Sequence, residues 1–367
     1  MKTNGVKKPT SSDVAALAGV SQASVSLILS GSTKVGFTNE TKERVFAAAK
    51  QLGYQPPAHR KLKKRTSRLI LVLIPTLTNQ YYSELVQTLE QYSDSLGYRV
   101  LVCNTFRKQE LEKYYLEQFT GSKISGIIYA FLPSFPREVE RLSATTPLVL
   151  IGEKSAELPI CSIELSNMRA GALLAEHLYR LGHRRVSFLS TPMNQMTLAR
   201  RQRLEGLRQK LVECGQRDGE KVSVDVLAAS EIEEDVIPGG LPYEFYIGRQ
   251  LTKEFLEHRT RSTALVGAND MTATGIEAEL TARGYRIPQD FSVCGFDNIF
   301  TGTIVSPPLT TIDHKLWARC RSAVDLIVEQ NSYEDEREKI TMMADKIEYA
   351  PQLVVRGSTG PAPAQEA

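Results

Sequence analysis

TSSDVAALAGVSQASVSLILSG, residues 10–31, holds two short amphipathic stretches separated by Ala18-Gly19-Val20-Ser21. Ser11 or Ser12 opens the first helix, its hydroxyl accepting from free backbone N–H groups, and Asp13 sets negative charge at the positive end. Val14, Leu17 and Ala18 fall on one face. Gly19 can take the left-handed conformation that ends this helix, and Ser21 caps a second whose apolar residues are Val25, Ile28 and Leu29. The spacing predicts a helix-turn-helix. Two such helices cannot bury a core alone. A third, capped by Thr38 and carrying Val45, Phe46, Ala49 and Leu52 before Gly53, supplies the missing wall. An all-α head over residues 1–56 follows.

In a helix-turn-helix the second helix lies in the major groove, which here presents Ser21, Gln22, Ala23, Ser26 and Leu27 to the bases. Gln22 can bridge N6 and N7 of adenine, whereas Ala23 and Leu27 offer only apolar contact, for instance to a thymine methyl. An ordinary helical hairpin is the alternative, and charge argues against it. Residues 1–68 hold thirteen Lys and Arg against Asp13, Glu40 and Glu43, about +10, which leaves the rest of the chain at about −7. Phosphate would attract the head and repel the body. Lys34, Arg60, Lys61, Lys63 and Lys64 are the expected phosphate contacts, the last four in a linker over 57–67 that opens after Pro56-Pro57 and has helical potential from Ala58 to Lys64.

From Leu69 the period changes. Short β-rich apolar runs such as LILVLIP (69–75), YRVLVCNT (98–105) and ISGIIYAF (124–131) alternate with amphipathic helical stretches, and the alternation restarts after CSIEL (161–165). Strand-helix-strand repetition predicts parallel sheets covered on both faces, here two doubly wound α/β lobes. Ligands of such folds sit outside the carboxyl ends of strands, and a cleft between lobes is the natural place. The strand ends are polar: Asn79, Tyr81 and Tyr82 after the first, Asn104 after the second, Asn269 and Asp270 after one later strand, Asp297 after another. Amides and carboxylates beside aromatic rings suit a polyhydroxylated ligand, although a strand-terminal Asn or Asp also serves simply to cap the next helix.

Other classes find little support. No GxGxxG follows the first strand, and there is no phosphate loop or GxSxG. The five histidines are dispersed, with no catalytic or metal-ligand pair. The five cysteines are scattered in apolar contexts, as in a reduced cytoplasmic protein, and no run is long enough to span a membrane. No catalytic residue, metal or cofactor is expected. A sugar-binding protein without DNA function and a doubly wound sugar-acting enzyme are the alternatives.

Over nearly its whole length the chain resembles the bacterial transcription regulators of the lactose repressor and galactose repressor family. The resemblance rests on DVAALAGVSQASVSLILSG, LVLIPTLTNQYYSELVQTLEQ, SNMRAGALLAEHLYRLGHRRVSFLS, Arg203-Leu204-Glu205-Gly206, GAND, GYRIPQDFSVCGFDN, SPPLTTID and PQLVVRGST, in that order. It implies a homodimer or tetramer on a palindromic double-stranded operator, with an effector-binding core like a periplasmic sugar-binding protein; no leucine-heptad tail follows Arg356, which favours the homodimer. Arg203, Asn269 of GAND and Asp297 of GFD would grip the hydroxyls of a sugar or nucleoside. By this reading the core runs over 68–356, with one lobe at about 68–165 and 298–330 and the other at about 166–297 and 331–356; the composition of GSTGPAPAQEA predicts a disordered tail at 357–367. The chain departs from the family at Leu27, where arginine is usual, in a longer turn carrying Lys34, and at Tyr54-Gln55-Pro56-Pro57. The leucine that in the family enters the minor groove is displaced by one position to Leu62, or replaced by Lys63. Ser166 and Gly152-Glu153 also differ, close to the expected cleft.

Overall fold

The computed structural model describes residues 9–29, 37–54, 68–153, 158–193, 198–230, 237, 240–258, 261–332 and 346–364. The chain divides into a head and a core, split between residues 64 and 65.

The head contains α1 (Ser11–Ala18), α2 (Gln22–Leu29) and α3 (Asn39–Leu52). The cap of α1 is Thr10, one residue earlier than expected. Its hydroxyl accepts from the backbone N–H of Asp13, while the Asp13 carboxylate accepts from the N–H of Thr10, a reciprocal capping box. Gly19 ends α1 at φ +65°, and the chain turns by 102° into α2, within the range of a helix-turn-helix. Val14, Ala15 and Ala18 meet Val25, Ile28, Val45, Ala48 and Ala49, with Phe37 packed at the edge. Leu17 and Phe46, both expected in this core, are about half exposed. So few turns bury only one narrow stripe, and Ala15 and Ala48 occupy it.

The core has two sheets. The first consists of β1 (Leu69–Ile74), β2 (Arg99–Asn104), β3 (Gly126–Tyr129), β4 (Leu148–Ile151), β5 (Cys161–Leu165) and β11 (Lys346–Tyr349), in the order β11-β5-β4-β3-β1-β2. The second consists of β6 (Arg185–Ser190), β7 (Ser223–Ala228), β8 (Ala264–Gly267), β9 (Ser292–Asp297), β10 (Thr310–Asp313) and β12 (Gln352–Val354), in the order β12-β10-β9-β8-β6-β7. All pairings are parallel except β10 with β12. The central strands β3, β4, β8 and β9 are buried along their whole length because helices cover both faces. Around the first sheet lie α4 (Gln80–Ser95), α5 (Gln109–Phe119), α6 (Pro136–Ser143) and α12 (Leu316–Ser332); around the second lie α7 (Asn167–Arg180), α8 (Leu198–Asp218), α9 (Tyr243–Glu257) and α10 (Asp270–Ala282), with the short α11 (Thr301–Ile304).

Three parts of the expected partition are corrected. Thr310–Asp313 pairs with β9 and so belongs to the second lobe, while Lys346–Tyr349 pairs with β5 and belongs to the first. Backbone hydrogen bonds fix both assignments. The tail is ordered to residue 364: Ser358 Oγ donates to the Val293 carbonyl at 2.6 Å, Gly360 N–H to Ser292 Oγ at 3.0 Å, and Ala362 N–H to the Leu181 carbonyl at 2.7 Å. The buried His183 bonds Thr263, Ser292 and the Gly360 carbonyl and so knits the tail to the second sheet. Composition alone suggested disorder; docking on exposed backbone groups overrides it.

Candidate nucleic-acid interface and ligand cleft

In the head, Ser21 Oγ accepts from the Ser24 N–H at 3.2 Å and fixes the start of α2. Gln22, Ala23, Ser26 and Leu27 are all half-buried. Gln22 does not point freely outward, because its amide donates to Ser11 Oγ at 2.7 Å and ties the two helices together. Contact with a base would exchange that bond. Lys34, Arg60, Lys61, Leu62, Lys63 and Lys64 lie outside the described residues.

In the core the chain crosses between sheets at Ser166, at His314-Lys315 and at Ala350-Pro351. A cavity of about 170 Å³ lies between the lobes. That is below the usual volume of a drug-sized pocket, so it suits a compact ligand. Asn79, Tyr81, Tyr82, Arg203, Asn269 and Asp297, all expected from strand-end position or motif, line it. Both asparagines also cap helices: Asn79 Oδ1 accepts from Tyr81 N–H at 3.0 Å and Asn269 Oδ1 from Thr272 N–H at 2.8 Å. Capping uses the amide oxygen and leaves each NH2 to donate.

Asn104 and Asp270 do not join them. Asn104 accepts from the Phe106 N–H at 3.1 Å, holding the turn after β2. Asp270 is buried behind the cavity and accepts from Ile299 N–H at 3.1 Å and Thr311 Oγ1 at 2.6 Å. It braces the turn that presents Asp297, whose φ is +122°. A non-glycine residue in that region is strained, and the strain falls at the cleft.

Arg203 is the hub. From α8 it donates Nε to Asn167 Oδ1 at 2.7 Å and Nη1 to the Ala268 carbonyl at 2.6 Å, while Nη2 lies 3.6 Å from Asp297. Its guanidinium also stacks over Phe296. The close crossing of α7 and α8 aims it: a Cβ on Gly171 would stand 2.0 Å from the Arg203 carbonyl, and one on Gly206 1.9 Å from that of Met168. His314 Nδ1 lies 3.1 Å from Asp297 Oδ1. Burial holds His314 well below the usual imidazole range, helped by Arg203 and Arg319, so the ring is neutral at pH 7. Burial pushes Asp297 well above the usual carboxylate range against the pull of Arg203.

Glu153, Asn167, Arg200, Glu244, His314 and Arg319 also line the cavity. Glu153 is one of the departures already expected close to the cleft, and Arg200 stands one helical turn before Arg203 on α8; Asn167, Glu244, His314 and Arg319 carry no such signal in the sequence. Asp297 and Asp313 are partners in the β9–β10 ladder, which puts His314 one residue beyond that pair. Arg107 of the first lobe pairs with Glu244 of the second at 2.7 Å. Burial works to raise the Glu244 pKa, but Arg107, Asn79 and Arg200 bring it below the ordinary value.

Residues 10–57 match the bacterial regulatory proteins of the LacI family, and residues 67–349 match the periplasmic binding proteins and sugar binding domain of that family. The chain belongs to the LacI family. It is 30% identical over 356 residues to the HTH-type transcriptional repressor PurR of Haemophilus influenzae (strain PittEE), covering 95% of this chain and 98% of that protein. Against the repressor CytR of Escherichia coli (strain K12) it is 29% identical over 353 residues, covering 95% and 96%. The solved lac repressor dimer bound to operator and the anti-inducer ONPF is 25% identical and covers 96% of this chain and 100% of that chain at a TM-score of 0.64. These relatives make this LacI-family chain a DNA-binding transcriptional regulator and not an enzyme. Among the described residues no single helix is long and apolar enough to cross a membrane.

Proposed function

We propose that this regulator is a repressor whose hold on a palindromic operator is set by a small polyhydroxylated effector, a sugar or sugar derivative, bound between the lobes of a homodimeric core in the cytoplasm. The supporting observation is the convergence of Arg203, Asp297 and His314 with Tyr81, Tyr82, Asn79 and Asn269 around one compact cavity at the crossings between lobes. Convergent amides, charges and rings bind hydroxyls and stack on C–H faces. An effector that favours one lobe arrangement shifts the spacing of the two heads, and that differential affinity couples the sites. In each head Ser21, Gln22, Ala23, Ser26 and Leu27 read bases, while Lys34, Arg60, Lys61, Lys63 and Lys64 neutralise phosphate and Leu62 enters the minor groove.

The test is selection of genomic fragments by the purified protein at two salt concentrations, with and without a panel of sugars. Enrichment of a palindrome that one sugar alters is the expected result. A palindrome indifferent to every small molecule removes the effector, and no enrichment removes operator binding.

A further inference from the structure

Arg319 enters the cleft from the first turn of α12 and is 3% exposed. Its Nη2 donates to the Ile163 carbonyl at 3.0 Å and its Nη1 lies 3.4 Å from Tyr81 Oη, while Nε has no hydrogen-bond partner. Among the described residues no carboxylate pairs with it within 4.0 Å. The neighbouring carboxylates are engaged elsewhere: Glu244 by Arg107, Asp297 by Arg203 and His314, and one oxygen of Glu153 by the Asn167 amide. Burial raises the pKa of Glu153 and so favours its neutral form. On the wall contributed by the other lobe, Arg200 Nη1 donates to the Pro192 carbonyl at 3.4 Å, and among the described residues no carboxylate lies within 4.0 Å of it, although Glu244 is near enough to feel its charge. A buried guanidinium without a counter-charge is costly, and where it lines a cavity the ligand can bring that charge.

We infer that the effector of this cleft carries an oxyanion, a carboxylate or a phosphate, on its small polyhydroxylated frame, and that Arg319 receives it with Arg200 facing from the opposite lobe. The inference rests on the proposed reading of the cleft as the effector site. Because the two arginines belong to different lobes, one anion between them draws the lobes together, so effector charge and lobe closure are linked.

The test is titration calorimetry on the full-length protein with matched sets: ribose and glucose, their 5- and 6-phosphates, ribonate and gluconate, and inorganic phosphate. At least one anionic sugar should bind tenfold or more tightly than its neutral parent, with the advantage shrinking as salt rises. The phosphate and carboxylate arms identify which oxyanion it is. Arg319→Gln should erase most of the difference and Arg319→Lys restore part of it. Neutral sugars binding as tightly as their anionic counterparts overturn the inference and leave the effector site standing; binding of none overturns both. The wild-type comparison decides the matter even if Arg319→Gln does not fold.

Discussion

Asp297 Oδ1 stands 3.1 Å from His314 Nδ1 and 3.6 Å from Arg203 Nη2, so the carboxylate that ends β9 is gripped by the residue just past β10 and by a side chain of α8. His314 lies at a crossing between lobes, so anything that moves Asp297 acts directly on the connection. Asp297→Ala should abolish the effector response of operator binding. A dose-response curve identical to that of the wild type would remove Asp297 from the coupling.

Across the cleft, Gln80 Oε1 accepts from the Thr301 N–H at 3.0 Å and from the Thr301 hydroxyl, and Glu84 Oε1 accepts from the Phe300 N–H at 3.1 Å. These bonds join α4 of the first lobe to the start of α11 in the second. Gln80→Ala removes two of them, each worth about 0.5–1.5 kcal/mol. If the ligand binds this lobe arrangement, calorimetry should show effector affinity falling at least about fivefold, and by up to roughly 150-fold if both bonds contribute in full. An unchanged affinity would mean the bonds contribute nothing to closure.

Gly206 has no room for a methyl group, because its Cβ would stand 1.9 Å from the Met168 carbonyl. Gly206→Ala must push α7 from α8, a strain of about 1–3 kcal/mol, and displace Arg203 one turn earlier. The denaturation midpoint should fall and effector binding weaken together. Loss of stability with full effector affinity would show that Arg203 is positioned by other contacts.

Burial holds His183 down to about 4 in the folded protein, against 6.5 as its ordinary value. Between those pH values the unfolded chain binds the extra proton and the folded one does not. Its contribution is therefore fully present above about pH 6.5 and lost as pH falls toward 4, by about 3 kcal/mol at most. His183→Gln should flatten that part of the urea-stability profile relative to wild type. Parallel profiles would assign the acid sensitivity elsewhere.

Gln22→Ala should relax preference at one operator position, by roughly 1–3 kcal/mol between bases, whereas Lys63→Ala should weaken all DNA alike and lower the salt slope by about one. Binding assays on operator variants at several salt concentrations separate the two. Identical effects from both changes would contradict the docking of α2 in the major groove.

Strand-helix alternation depends on local periodicity, which is why the parallel sheets and the helix-turn-helix were legible from sequence. The residues picked by motif, Arg203, Asn269 and Asp297, and those picked by strand-end position, Asn79, Tyr81 and Tyr82, line one cavity. The same positional rule failed for Asn104 and Asp270, because a strand-terminal amide or acid can turn back to its own loop, and its sequence looks the same either way. His314, Glu244 and Arg319 were invisible, since parallel strands and their crossovers juxtapose residues far apart in the chain.

The sequence by itself determined the charge split between head and core, the helix-turn-helix and the doubly wound lobes, all of which follow from near-neighbour pattern and composition. The tertiary structure decided which lobe each C-terminal strand joined, that residues 357–364 dock, and that Arg319 is buried without a counter-charge. Those outcomes depend on hydrogen bonds and desolvation between distant segments, which local sequence pattern does not encode.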